Sequence, residues 1–228
     1  MTDLVLVGGV VDDIVTVTLN RPEKKNALSI ALRDELSDAF DMAEVVSTLS
    51  QLARQSPHIN QRSGVSVRLS VSNYETLSAN AVRRALRHGE RDVVPRVSDL
   101  EALAASTSGK VEIESIEEGR DGAIIENLVK ASILTVFKGR FTPDKLRDVI
   151  TAFDEGLIAH VGEDVTSADE ADLLARVPSL REPVSQLTDD ESPAAVASAV
   201  EFLLEGLHLS KRLNKDASGA RATYRGRG

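Results

Sequence analysis

The stretch SNYETLSANAVRRALRHG, Ser72 to Gly89, decides how the chain is read. Ser72 followed three residues later by Glu75 has the form of a capping box, in which each side chain satisfies an open backbone N–H at a helix start. Leu77, Ala81, Ala85 and Leu86 then recur at helical spacing, and Gly89 stands where a helix end takes a left-handed residue. The spacing predicts a helix with an apolar face and with Arg83, Arg84 and Arg87 on the opposite side.

Similar patterns lie on either side of it. Met42 to His58 reads as helix and ends in the polar, Pro-containing stretch SPHINQRSG. Val93 to Val97 must be extended, because the residue before Pro95 avoids the helical region. Two further capping boxes, Ser98 with Glu101 and Ser167 with Glu170, open short helices. Val111 and Ile113 alternate with Glu112 and Glu114 like a half-buried strand, and Gly119 to Gly122 reads as a turn. Ile124, Ile125, Leu128, Val129, Ile133, Val136 and Phe137 mark an amphipathic helix ending near Gly139. Thr142-Pro143 starts another, over Leu146, Val149, Ile150 and Phe153. Ser192-Pro193, preceded by the acids Asp189, Asp190 and Glu191, begins a long final helix with Val196, Val200, Leu203, Leu204 and Leu207 on its apolar side. At the N-terminal end, Ile14 to Leu19 reads as a strand broken by Asn20-Arg21-Pro22. Ser29 then caps a helix carrying Leu32, Leu36 and Phe40. The expected fold class is mainly α with minor β: a short βα opening unit, a helical lid-like domain and a C-terminal helical region.

Composition narrows the chemistry. Of 228 residues only five are Phe and two Tyr, with no Trp, so a core must be built from Leu, Val, Ile and Ala, which favours helix packing over a β-sandwich. The absence of Cys removes disulfides, thiolate metal sites and a Cys nucleophile. No run approaches the roughly 20 apolar residues of a membrane-spanning helix. The start MTDLVLVGGVVDD lacks the basic region of a secretory signal, so the expected location is cytoplasmic with no membrane partner. A net charge of −9 argues against nucleic-acid binding by the whole chain. From Lys211 onward, however, there are six bases and one acid, Asp216. This basic, Gly-containing tail, residues 211–228, is expected to be disordered.

Two resemblances follow from these segments. DDIVTVTLNRPEKKNALSIALRDELSDAFD resembles the opening strand-strand-helix unit of the enoyl-CoA hydratase/isomerase (crotonase) family, whose signature there is LNRP followed by NAL, over about residues 4–41. That resemblance implies a coenzyme A loop at Arg21, Lys24, Asn26 and Ala27. The family's glycine-rich segments for an oxyanion hole are not recognisable downstream, which implies a protein without hydratase activity.

From about Val46 to the C-terminus the chain instead resembles the C-terminal part of a magnesium-chelatase-type AAA+ ATPase subunit. The residues carrying this are SPHINQRSGVSVRLSVSNYETLSANAVRRALRHGE, VVPRVSDLEALAASTSGKVEIE and AVEFLLEGLHLSKRLNK. The resemblance implies that Arg68 is the lid's sensor 2 arginine, which reaches the phosphates of a bound nucleotide. It divides the chain into a crotonase-like fragment at 1–42, an AAA+ lid-like helical domain at 43–110, a C-terminal helical region at 111–210 and the tail at 211–228. Two origins fit the junction near Asp41: a natural fusion, or a rearrangement that joined two genes.

The nucleotide machinery itself is not legible. The pattern GxxxxGK(S/T) does not occur; Ser106-Thr107-Ser108-Gly109-Lys110 approaches it, but Ala104 replaces the first Gly and Val111 follows the Lys. Nor does an apolar strand end in Asp-Glu as a Walker B element would. ATP and Mg²⁺ are therefore expected only with a P-loop-bearing core, and the partners implied are AAA+ subunits, the missing ATPase core or further copies of the chain. The function expected is ring assembly or partner interaction, with no catalysis by this chain alone. The alternative is an inactive relative of the enoyl-CoA hydratases. His160 and Glu163 read as a surface turn without a third metal ligand; His58, His88 and His208 are scattered.

Overall fold

The computed structural model describes residues 5–7, 17–19, 41–60, 65–113 and 121–227. Among them the chain is mainly helical with a small three-stranded antiparallel sheet. Strands β1 (Val5–Val7) and β2 (Val17–Leu19) pair antiparallel, with Val5 opposite Leu19. Helix α1 spans Asp41–Gln55, α2 Val67–His88, α3 Leu103–Ser108 after a 3₁₀ turn at Ser98–Ala102, and α4 Asp121–Arg140. A 3₁₀ turn at Pro143–Leu146 leads into α5 (Arg147–Asp154), followed by β3 (Ile158–Gly162), α6 (Ser167–Ala171) and α7 (Leu173–Arg176). A 3₁₀ turn at Pro178–Leu180 then precedes α8 (Arg181–Ser185), α9 (Pro193–Leu209), β4 (Asn214–Ser218) and β5 (Arg221–Arg225). The helix expected from Ser29 and the strand residues before Val17 lie outside the described residues.

The helices form where apolar side chains recur once per turn. Met42, Val45, Val46, Leu49 and Ala53 bury one face of α1; Ile125, Val129, Ile133, Val136 and Phe137 bury one face of α4. Helix α9 is different, with every residue from Ala194 to Leu207 buried, as befits a helix that other elements surround. Phe137 joins α4 to α9: its ring lies 5.5 Å from Phe141 and 6.1 Å from Phe202. One cluster of buried apolar side chains runs from Met42 to Tyr224, across residue 110 where two units were expected to meet.

The start of α2 differs from expectation. Ser66, not Ser72, caps it, its hydroxyl accepting the Arg68 N–H, and the helix begins five residues before Ser72. Ser72 instead faces Ser106. Gly89 ends the helix at φ 67°, and its N–H bonds back to the last turn, as expected. Arg84 does not share the exposed side with Arg83 and Arg87; it is buried, while Leu86 is 66% exposed. Gly122 lies within α4 rather than in a turn, and Val111 to Ile113 contribute only an isolated bridge from Ile113 to Ile59.

The basic tail is not disordered. Residues 214–225 form a hairpin whose second strand lies between β4 and β3, with Tyr224 opposite both Ala159 and Lys215. Alternation sends Tyr224 and Ala222 inward and Thr223 outward, and burial of Leu213 and Tyr224 outweighs the cost of ordering a charged segment.

Gly206 sits in α9 directly against the Phe137 ring, where an added methyl would collide with it. Replacing a helical Gly by Ala ordinarily gains about 1 kcal/mol. Here Phe137 is held by Phe141 and Phe202, so Gly206→Ala is expected to lose a net stability of about 1–2 kcal/mol through overpacking in urea unfolding. A stabilised variant would contradict this packing.

Candidate functional site

The most unusual chemistry in the fold is a group of charged side chains removed from water. It starts at Pro95, which keeps Val94 extended and delivers Arg96 into the interior at 0% exposure. Arg96 Nη1 lies 3.1 Å from a Glu170 carboxylate oxygen and donates to Val165 O at 3.1 Å. Its Nη2 donates to Ser167 Oγ and lies 3.6 Å from Glu90. Glu201, from α9, is 3.9 Å from Nη1.

A second guanidinium stands beside it. Arg84 meets both oxygens of Asp99, through Nη2 at 3.0 Å and Nε at 3.3 Å, and also donates to Val94 O. The planar fork matches a carboxylate in two bonds, which fixes the pair's orientation as well as its attraction. Asp99 in turn accepts the Arg96 N–H, so one carboxylate both shapes the 3₁₀ turn and neutralises α2's buried charge.

These carboxylates also collect backbone amides from the ends of distant elements. Glu201 accepts from Ser98 N at 2.7 Å and Ser98 Oγ at 3.1 Å; Glu90 accepts from Ser167 N at 2.5 Å; Glu170 accepts from Gly162 N at 2.9 Å. Ser98 and Ser167 thus serve the charge cluster rather than capping helices. Thr166 caps α6 by accepting the Asp169 N–H, and the 3₁₀ turn at Ser98 has no side-chain cap.

Two guanidiniums face four carboxylates, Glu90, Asp99, Glu170 and Glu201. Burial, reinforced by the neighbouring Glu201, pushes Glu170 well above the usual carboxylate range. Burial raises Glu201 too, but Arg96 and the Ser98 amide oppose the rise. Of the two, Glu170 is raised the further, and its Oε2 has no hydrogen-bond partner among the described residues. Glu90 moves the other way: burial opposes ionisation, and the Ser167 donors with Arg96 and Arg84 overcome it and hold Glu90 below the usual range.

A cavity of about 260 Å³ adjoins this cluster. Helix α9 supplies Glu201, Glu205 and His208 to its lining, one stripe at helical spacing along an otherwise apolar helix. Glu205 Oε2 accepts from Lys215 Nζ at 2.8 Å and from the Tyr224 hydroxyl. Burial, followed by the Glu205 charge, pushes the Tyr224 phenol well up, so it remains a donor. His208 Nδ1 donates to Leu213 O at 3.2 Å, and its ring meets Tyr224 edge-on.

The residues expected to carry function are not gathered here. Arg21, Lys24, Asn26 and Ala27 lie outside the described residues. Arg68 is exposed in the first turn of α2, and its side chain has no partner among the described residues. The Ser106–Lys110 stretch is a helix end: Lys110 Nζ donates to Ser106 O at 2.8 Å and Thr107 is buried against Asn73, so these residues do not form a phosphate cradle. His160 lies on β3, not in a turn, and contacts Thr223 Oγ1. Among the described residues no group of three or more His, Asp or Glu is placed to hold a metal ion. Arg83 and Arg87 pair at the surface with Glu163.

Sequence reasoning missed Arg96, Glu170, Glu201, Glu205 and Tyr224 as a group. Two signals were available. Glu201 and Glu205 stand four apart inside AVEFLLEGL, where apolar neighbours on every side leave no solvated face. Arg96 directly follows Pro95 between two helices. No protein-family model, curated protein or solved structure matches the chain.

Two stability measurements test the cluster. Arg96→Ala strands Glu90, Glu170 and Glu201 together and is expected to cost about 3–5 kcal/mol in denaturant unfolding. Glu170 has a higher folded than unfolded value, so its contribution is complete below about 4.5, the unperturbed value, and is lost as pH rises toward its folded value. Glu170→Gln, always neutral, should therefore gain on the native chain steadily as pH rises through that interval. A difference that stays constant with pH would contradict protonation of Glu170.

Proposed function

We propose that this chain is a nucleotide-responsive assembly piece of a magnesium-chelatase-like AAA+ ATPase, working with a P-loop-bearing core on another subunit. The observation that carries this is Arg68, an exposed guanidinium in the first turn of a 22-residue helix with no partner among the described residues. The positive end of the helix dipole favours the same anionic partner. A phosphate held by the core would meet a planar fork of donors that stays charged at any working pH. Val67, Val71, Val82 and Leu86, exposed along the same helix, supply apolar area for the protein that holds it.

Behind Arg68 the helix is fixed to the rest of the fold. Asn73 bonds to buried Thr107, and Arg84 to Asp99. A contact that draws Arg68 toward phosphate would therefore tilt α2 together with the charge cluster. Hydrolysis is assigned to the partner, because residues 106–110 close a helix instead of cradling phosphates.

The test is the anisotropy of a fluorescent ATP analogue bound by a purified magnesium-chelatase-type AAA+ subunit that carries a P-loop. This chain alone should leave the probe free, and adding it to the core should tighten binding about tenfold, the scale of one charge-assisted contact. Arg68→Ala should remove that gain while the two proteins still co-purify. An equal gain with Arg68→Ala, or none with the native chain, would overturn the reading.

A further inference from the structure

Four large apolar side chains of α2 face solvent: Val67 is 70% exposed, Val71 53%, Val82 41% and Leu86 66%. With Glu75 and Ser78 between them they form one stripe, 67, 71, 75, 78, 82 and 86, at helical spacing along a single face. An apolar row of this length on one helix marks an interaction surface. The order of its members identifies what covers it, because the intervals read the same from either end.

Turned end for end about a two-fold axis midway between Glu75 and Ser78, a second α2 sets Val67 against Leu86, Val71 against Val82 and Glu75 against Ser78. That is what an isologous interface requires, since one patch must complement itself. A shift of one turn breaks the match, placing Glu75 against Val82 in one direction and Val71 against Ser78 in the other. Charge follows the same register. Glu75 makes no ion pair among the described residues, and Arg83 is 62% exposed and lies 3.8 Å from its own Glu163. The antiparallel pair brings Arg83 of one copy to within five residues of the level of Glu75 of the other, about 7.5 Å along the axis and in reach of two long side chains. A parallel pair instead sets the two Glu75 carboxylates level and aligns the helix dipoles, both of which oppose it.

We propose that this chain pairs with a second copy of itself through α2, antiparallel about that axis. The 22-residue helix gives a contact only about 33 Å long, so the interface falls below the roughly 1,200 Å² of stable complexes and the dissociation constant is on the order of 100 µM. A second copy takes the face offered above to an ATPase core, so the two complexes exclude each other; the pairing itself does not rest on that reading.

The test is sedimentation equilibrium of the full chain alone, between about 10 and 500 µM. The mass should rise from 24.5 kDa toward twice that value. Leu86→Glu should weaken the pairing at least about tenfold and Glu75→Leu should tighten it, both at exposed positions that leave the fold in place. Because the chain has no Cys, introduced thiols report the geometry directly. An equimolar mixture of Val71→Cys and Val82→Cys chains should give the mixed disulfide on mild oxidation. Val71→Cys alone should not cross-link, its two copies standing about 16.5 Å apart along the axis. A mass that stays at 24.5 kDa throughout would overturn the proposal. So would association unchanged by Leu86→Glu, or Val71→Cys cross-linking with itself as readily as with Val82→Cys.

Discussion

Burying Arg96 is the constraint on which the rest of the described fold depends. A guanidinium without water must be surrounded by acceptors, and all of its carboxylate and hydroxyl partners lie outside the 3₁₀ turn that follows it. Glu90 follows α2, Ser167 and Glu170 belong to α6, and Glu201 belongs to α9, more than a hundred residues further on. Apolar packing brings these elements together without fixing their register. The charge cluster adds that register, because each carboxylate also takes an amide from the end of another element, which only one arrangement presents.

The same arrangement links the start of α2 to the cavity beside α9. Arg68 starts the helix that carries Arg84; Arg84 and Arg96 share Asp99; Arg96 meets Glu201; and Glu201 lies on the cavity wall with Glu205 one turn beyond. Two of these links, Arg84 with Asp99 and Arg96 with Glu201, are buried contacts between charges, where attraction and repulsion are both large. The surface pairs of Arg83 and Arg87 with Glu163 lie nearby but are water-screened, and each is worth only about 0–1 kcal/mol.

Local order was legible in the sequence, and long-range pairing was not. The repeat of apolar residues located α1, α4 and α9, and Gly89 marked a real helix end. The Ser-x-x-Glu pattern located helices at residues 72, 98 and 167 but misplaced their starts. Each of those serines has another partner, and the observed caps at Ser66 and Thr166 lie outside the pattern. Arg84 was placed on the exposed face because charge is ordinarily solvated; Asp99, fifteen residues on, with Glu90 and Val94 O, explains its burial. The tail was misread for a related reason. Its six bases suggest a solvated arm, whereas Tyr224 and Leu213 are buried and β3, more than fifty residues earlier, supplies the hydrogen bonds. The strand pairing of the tail and the Ser98–Glu201 and Ser167–Arg96 contacts each join residues that no local window contains.

Native-state hydrogen exchange of four amides tests the role of the charge cluster most directly: Arg96, Ser98, Gly162 and Ser167, each donating to one of its carboxylates. If the cluster locks the register of the fold, these loop amides open only with the whole, and their protection should equal that of the core of α9. Exchange of any of the four with a much smaller opening free energy than α9 would show that the loops detach on their own, and would contradict the structural role given to Arg96.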